Sequence, residues 1–208
     1  MAPTSSGRVA NASHASLPWR IHEIVPDFTL EDVWVLPARG GAGDFDRLLA
    51  LGTDLDPANA DSRAARFLWR VRDRLGAWFD LGRISEPEGG NDRLPIPGTE
   101  ETTLADRLPP DLRAAEWDRD FGSLPFRPLF RTDTEAAAEI SNRTVHGVMH
   151  LGWAETGDGE YQGRMAVYVK PRGRLGHAYM AFIKPFRYAI VYPALLRQFE
   201  RRWDAGQS

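Results

Sequence analysis

The chain has 208 residues, 42% of them hydrophobic and seven of them tryptophan, enough for one domain with a sizeable core. A formal net charge of -3 argues against the basic face of a nucleic-acid binder. The absence of cysteine excludes disulfides, thiol nucleophiles and Cys-ligated metal sites. The N-terminus lacks the apolar core of a signal peptide, and no run of about eighteen apolar residues occurs, so the reading is a cytoplasmic protein without a membrane span.

Residues 1–17 are small and polar and read as a disordered tail that carries His14, with order beginning near Trp19. His22, just beyond it, is uninformative alone. The segment Leu30–Pro37, with Val33, Trp34, Val35 and Leu36, reads as a buried strand. The turn Arg39–Gly43 follows; no Gly-Lys-Ser/Thr accompanies it, so it is not a phosphate loop. Asp44 is placed to cap a short helix with Phe45, Leu48 and Leu49 on one side. A second helix is predicted over 61–79, its Arg/Asp face solvated. Beyond a Gly/Glu/Pro-rich loop at 81–91, Thr103 and Leu104 open one helical turn that Pro109-Pro110 ends. Phe126–Arg131 reads as an edge strand because of Pro128, and Glu135–Ser141 as another strand.

The last third carries the most pattern. Thr144–Trp153 alternates, with Val145, Gly147, Met149, Leu151 and Trp153 on one face and His146, Val148 and His150 on the other. A turn over Glu155–Gly159 leads to a strand over Tyr161–Lys170, and a second turn, Pro171–Arg174, to a third strand over Leu175–Lys184. Pairing by turn length sets Met149, Met165 and Met180 in one row and His146, Tyr168 and His177 in another, with His150 opposite Arg164. The methionine row reads either as plain core or as the wall of an adaptable apolar pocket, since thioethers reshape around different ligands. The histidine row reads either as a half-exposed outer face or as acid–base chemistry. Metal binding is disfavoured because no carboxylate sits at a suitable spacing. The final helix, Phe186–Trp203, carries a stripe of Tyr188, Val191, Tyr192, Leu195 and Phe199, and Pro193 predicts a kink or restart. Lys184 and Arg187 at its start either cap carbonyls or meet a carboxylate or phosphate.

The stretches PDFTLEDVWVLP, ISNRTVHGVMHLGW, GRMAVYVKPRGRLGHAYMAFIKPFR and IVYPALL resemble the bacterial family catalogued as domain of unknown function 2867. The resemblance covers the chain from about Trp19. It implies an α+β helix-grip fold of the START-like or Bet v 1-like (SRPBCC) kind, a curved antiparallel sheet around a long C-terminal helix and a cavity. The expected organisation is a tail at 1–17 and one domain at 18–208. Within that domain, residues 44–124 form a helix-rich insertion, 126–184 the sheet and 186–204 the C-terminal helix. The resemblance also implies that some relatives are C-terminal partners of short-chain NAD-binding domains. This chain has no G-x-G-x-x-G after a strand, and no cofactor is expected.

Three functions compete. The preferred one is binding, not catalysis: a small apolar molecule held by Met149, Leu151, Met165, Val167, Met180, Phe182, Val191 and Leu195, with no metal. The second is a cyclase, dehydratase or hydrolase in which Tyr168 and His177 exchange protons and Arg164 stabilises negative charge, with Glu139 or Tyr179 as a variant source of the polar group. The third is a module that docks on an oxidoreductase through the 61–79 helix or the edge strand at Phe126.

Overall fold

A computed structural model describes residues 7–53, 94–113, 117 and 126–206. The predicted 61–79 helix, the 81–91 loop and Phe121 lie outside the described residues. The strands are β1 (Gly7–Val9), β2 (Thr29–Gly40), β3 (Arg127–Arg131), β4 (Glu135–Ser141), β5 (Val145–Gly157) and β6 (Glu160–Pro171). They form one curved antiparallel sheet in the order β1-β2-β6-β5-β4-β3. Helices α1 (Ala12–Ala15) and α2 (Ile21–Ile24) precede β2, and α3 (Phe45–Thr53) follows it. The short helix α4 (Pro110–Arg113) precedes β3. A long C-terminal helix is built from α5 (Gly173–Phe186), a π-helical turn (Arg187–Val191) and α6 (Tyr192–Ala205).

The buried strand, the Asp44 helix and the four strands from Phe126 onward are where the sequence placed them. Thr103 caps the turn Leu104–Arg107 by accepting a hydrogen bond from the Ala105 N–H. Pro128 sits in β3, the outer strand, where a missing N–H leaves no ladder partner unsatisfied.

Two expectations are corrected. The tail is structured from Gly7: Arg8 pairs with Trp34, and His14 is fully buried. The third strand, Leu175–Lys184, is helix. Gly173 adopts φ +56 and turns the chain out of β6, whose two sides are already paired with β2 and β5. Beyond it Gly176, Met180 and Ile183 recur at helical spacing and turn toward Val145 and Val169. The alternation read at 175–184 therefore described two sides of a helix.

The β5–β6 register differs from the expected one by two residues. Met149 pairs with Val167, Leu151 with Met165 and Trp153 with Gly163. The strands run further than expected and close through the two-residue turn Asp158-Gly159, with φ of 55 and 75, the left-handed pair that matches strand twist. A two-residue shift keeps every side chain on its predicted face. The neighbours change: Met149 no longer faces Met165, and His150 faces Ala166 in place of Arg164.

Both faces of the sheet are covered. The C-terminal helix and α3 lie on the methionine face, where Trp34, Leu36, Phe45, Leu48, Trp153, Met165, Phe199 and Trp203 pack together. The other face is covered by the N-terminal segment and residues 94–113, through Trp19, Ile21, Ile24, Ile96, Leu104 and Leu112.

Gly176 is where α5 meets the sheet end, and a Cβ there would overlap the Thr144 carbonyl oxygen. Alanine normally favours a helix over glycine by about 1 kcal/mol, but backbone cannot yield as a side chain does. Gly176→Ala is expected to destabilise the fold by about 1–3 kcal/mol, read as a lowered urea midpoint. A raised midpoint would show that α5 shifts freely.

Candidate functional site

On the helix side, four strands contribute one transverse row: Asp32 pairs with Val167, Val167 with Met149, and Met149 with Ala138. The next row along, Trp34–Met165–Leu151–Ala136, is fully buried under α3 and α6. On the other flank Val145 and Val169 are buried with Met180 of α5. Between these clusters Met149 and Val167 remain half-buried, as do Tyr188, Val191, Leu195 and Leu196 of the helix. On this face the row is thus incompletely covered at Val167 and Met149, between buried Asp32 and buried Ala138.

The end of that row is polar. Asp32 is fully buried. Its Oδ1 accepts hydrogen bonds from the Tyr192 hydroxyl (2.8 Å) and the Trp34 indole N–H (3.2 Å). Arg187 Nη2 lies 2.9 Å from Asp32 Oδ2, and Arg187 also donates to the Tyr192 hydroxyl. Burial opposes charge on Arg187, but Tyr192 and Asp32 outweigh it and hold the guanidinium protonated. Burial pushes the Tyr192 phenol up, out of reach of ionisation. The π turn that carries Arg187 lies between Pro185 and Pro193. The widened turn accommodates the N–H that Pro193 lacks. Arg187, for which the sequence left carbonyl capping or an external carboxylate or phosphate open, meets the internal carboxylate of Asp32. Lys184 lies 3.8 Å from Glu31.

The opposite face holds the histidines, and it is enclosed, not half-exposed. His146 and His150 are fully buried. His150 Nε2 lies 3.0 Å from Glu135 Oε2, and Glu135 also accepts from the Arg20 and Ile21 N–H groups at 2.7 and 3.3 Å. His146 Nε2 lies 2.9 Å from Glu139 Oε2, and Glu139 accepts from the Leu104 N–H (2.9 Å) and the Thr103 hydroxyl. Burial raises the Glu139 carboxyl, but these three hydrogen bonds outweigh it and leave the carboxyl below its ordinary value. The Nδ1 atoms of both histidines and the Tyr168 hydroxyl are buried without a hydrogen-bond partner among the described residues. Burial, with the Glu135 charge adding to it, raises the Tyr168 phenol.

The predicted site residues separate. Met149, Leu151, Met165 and Leu195 belong to the helix-side cluster. Val167 and Met180 belong to the flank. Val191 is half-buried in the π turn, and Phe182 points outward at 55% exposure. The Tyr168–His177–Arg164 trio does not assemble. Tyr168 and Arg164 lie on the histidine face, whereas His177 is exposed on α5 with Nδ1 2.8 Å from the Gly173 carbonyl oxygen. No group of His, Asp or Glu among the described residues is placed to hold a metal ion. The sequence reading passed over Asp32, Glu135 and the burial of His14. A signal existed for the pairs: Glu135/Glu139 and His146/His150 share a spacing of four on adjacent strands.

A curved, open antiparallel sheet gripping a long C-terminal helix, with both faces covered, defines an α+β helix-grip protein. Residues 24–194 match the family described as protein of unknown function (DUF2867), and the chain belongs to that family. The match includes Asp32, Glu135, Met149, His150, Val167 and Arg187, whereas His14, Trp19 and His22 precede it. Neither a curated protein nor a solved structure matches the chain.

Asp32→Ala leaves Arg187 buried and charged without its carboxylate. It is expected to cost about 3–5 kcal/mol in denaturant unfolding. Asp32→Leu combined with Arg187→Met removes both charges and is expected to lie closer to wild type; equal losses would mean that the ion pair is not what the site depends on. The Glu139 carboxyl titrates lower folded than its ordinary 4.5. Its contribution is therefore present above pH 4.5 and lost as pH falls through the folded value. Glu139→Gln is expected to flatten the stability-against-pH slope below pH 4.5, and an unchanged slope would assign acid lability elsewhere.

Proposed function

We propose that the protein binds a small apolar or amphipathic molecule between the methionine face of the sheet and the C-terminal helix, in the manner of START-like domains. The observation that carries this reading is the half-buried pair Val167 and Met149, an apolar patch left between two packed clusters with the buried carboxylate of Asp32 beside it in the same row. Binding sites for such molecules are mostly apolar with few orienting polar groups. Met149 adapts its shape to the guest. The Asp32–Arg187–Tyr192 network is internally charge-balanced, which favours a hydroxyl or carbonyl on the ligand over a second full charge. The π turn supplies the movable element, since the two helical halves meet there.

A partner-docking reading has its own observation: Leu175, Phe182 and Phe186 are exposed on the outer side of α5, with the two phenyl rings 5.6 Å apart. One experiment separates the two. Anilinonaphthalene sulfonate binding is measured on wild type, Val167→Trp and Phe182→Ser. A ligand band predicts at least about tenfold weaker binding in Val167→Trp, with the urea midpoint retained, and no change in Phe182→Ser. The reverse pattern would refute the pocket and support the α5 surface.

A further inference from the structure

We propose that residues Gly7–Leu17 are an acid-released strap, closed over the histidine face at neutral pH and opening about Pro18 when its buried His14 is protonated. The strap is held at its margins: Val9 and Leu17 pack partly buried against the core, and the Arg8 guanidinium lies 4.6 Å from the Tyr188 ring centre. β1 contributes three paired residues to the sheet edge, the Asn11 side-chain amide donates to the Leu30 carbonyl (2.6 Å), and Arg164 donates to the Ser13 carbonyl (3.0 Å). Beyond Pro18 the chain is anchored firmly by Trp19, Ile21 and Ile24 in the core and by the Arg20 and Ile21 N–H groups on Glu135. The hinge thus divides a segment held by a three-residue pairing, single side-chain contacts and one buried imidazole from a segment anchored in the core. The strap also precedes the family match, which begins at residue 24.

What the strap inserts is the His14 ring. It lies 5.1 Å from the His150 ring, 5.9 Å from His22, 5.7 Å from Trp19 and 6.1 Å from Tyr168, centroid to centroid. Both of its nitrogens are buried without a partner among the described residues. The titratable groups facing it are His150 from β5, Tyr168 and Arg164 from β6, and His22 from α2. The nearby carboxylate, Glu135, is already engaged by His150 and two backbone N–H groups. A proton on His14 would place a cation among imidazoles and a guanidinium with no free counter-charge. Burial first, then the charges of His150, His22 and Arg164, hold its pKa down to about 2 from 6.5.

The sign follows. A histidine neutral in the closed state and ordinary in the open one leaves closure intact above pH 6.5. Each unit below that favours opening by about tenfold, or about thirtyfold by pH 5. Opening bares His150 Nδ1, the Tyr168 hydroxyl and the outer edge of β2 at Val33–Val35. The result is acid-gated access to a paired Glu–His group on the face opposite the proposed ligand band.

Hydrogen exchange of the full chain, expressed as protection factors at pH 7.5 and 5.0, tests this. Residues 7–17 are expected to lose protection about thirtyfold at pH 5 while β5 and β6 keep theirs. His14→Phe, which retains a ring but cannot titrate, is expected to abolish that loss. Undiminished protection in wild type at pH 5, or an equal loss in His14→Phe, would overturn the proposal. If His14→Phe is already open at pH 7.5, nitrogen-15 signals of the wild-type His14 ring decide: the loss of protection must coincide with charging of that ring, and loss with the ring still neutral overturns the strap.

Discussion

Two carboxylates inside the sheet, Glu135 and Glu139, tie the layers of this protein together. A buried carboxylate is costly unless its lone pairs are filled. Each of these is filled by one histidine from β5 and by groups from a covering segment: Arg20 and Ile21 for Glu135, Thr103 and Leu104 for Glu139. The N-terminal segment and residues 94–113 are therefore fixed on the sheet by polar demand as well as by Trp19, Ile21, Leu104 and Leu112. A sheet with one solvated face would have needed neither.

The helix side follows a different logic. Its cover is dominated by large apolar groups, with Phe199 and Trp203 of α6 and Phe45 and Leu48 of α3 over Trp153 and Met165. A charged group of the sheet, Asp32, enters that layer, and the helix meets it with an irregular turn: a π turn brings Arg187 and Tyr192 onto the same carboxylate. The irregular turn, the Asp32–Arg187 ion pair and the half-buried Val167 and Met149 adjoin one another, and the proposed ligand band rests on that coincidence. Functional sites commonly carry such local departures from regular geometry.

The legible parts of the fold were those whose signal is local. Alternation in β5 and β6 assigned every side chain to its face even though the pairing was two residues out, because facial assignment depends only on parity. Thr103 marked its cap and Pro128 an edge, whereas Asp44, expected to cap the Phe45 helix, instead accepts from the Gly41 N–H as the last residue of a 3-10 turn that leads into it. The illegible parts depended on partners distant in sequence. Leu175–Lys184 alternates plausibly as a strand, and only the turn at Gly173 and the place of Met180 against Val145 and Val169 make it a helix. With that helix gone from the sheet, His177 leaves the row that had paired it with Tyr168.

The sequence by itself determined the strand faces, the helix stripe with its interruption at Pro193, and the family, because periodicity, proline chemistry and motif are properties of neighbouring residues. Only the tertiary structure decided that the histidine face is sealed, that Asp32 meets Arg187 and Tyr192, and that a polar tail carries a buried imidazole. Those are contacts between residues as much as 160 positions apart. Burial of a charge or a ring is set by what the rest of the chain lays over it, which no local pattern encodes.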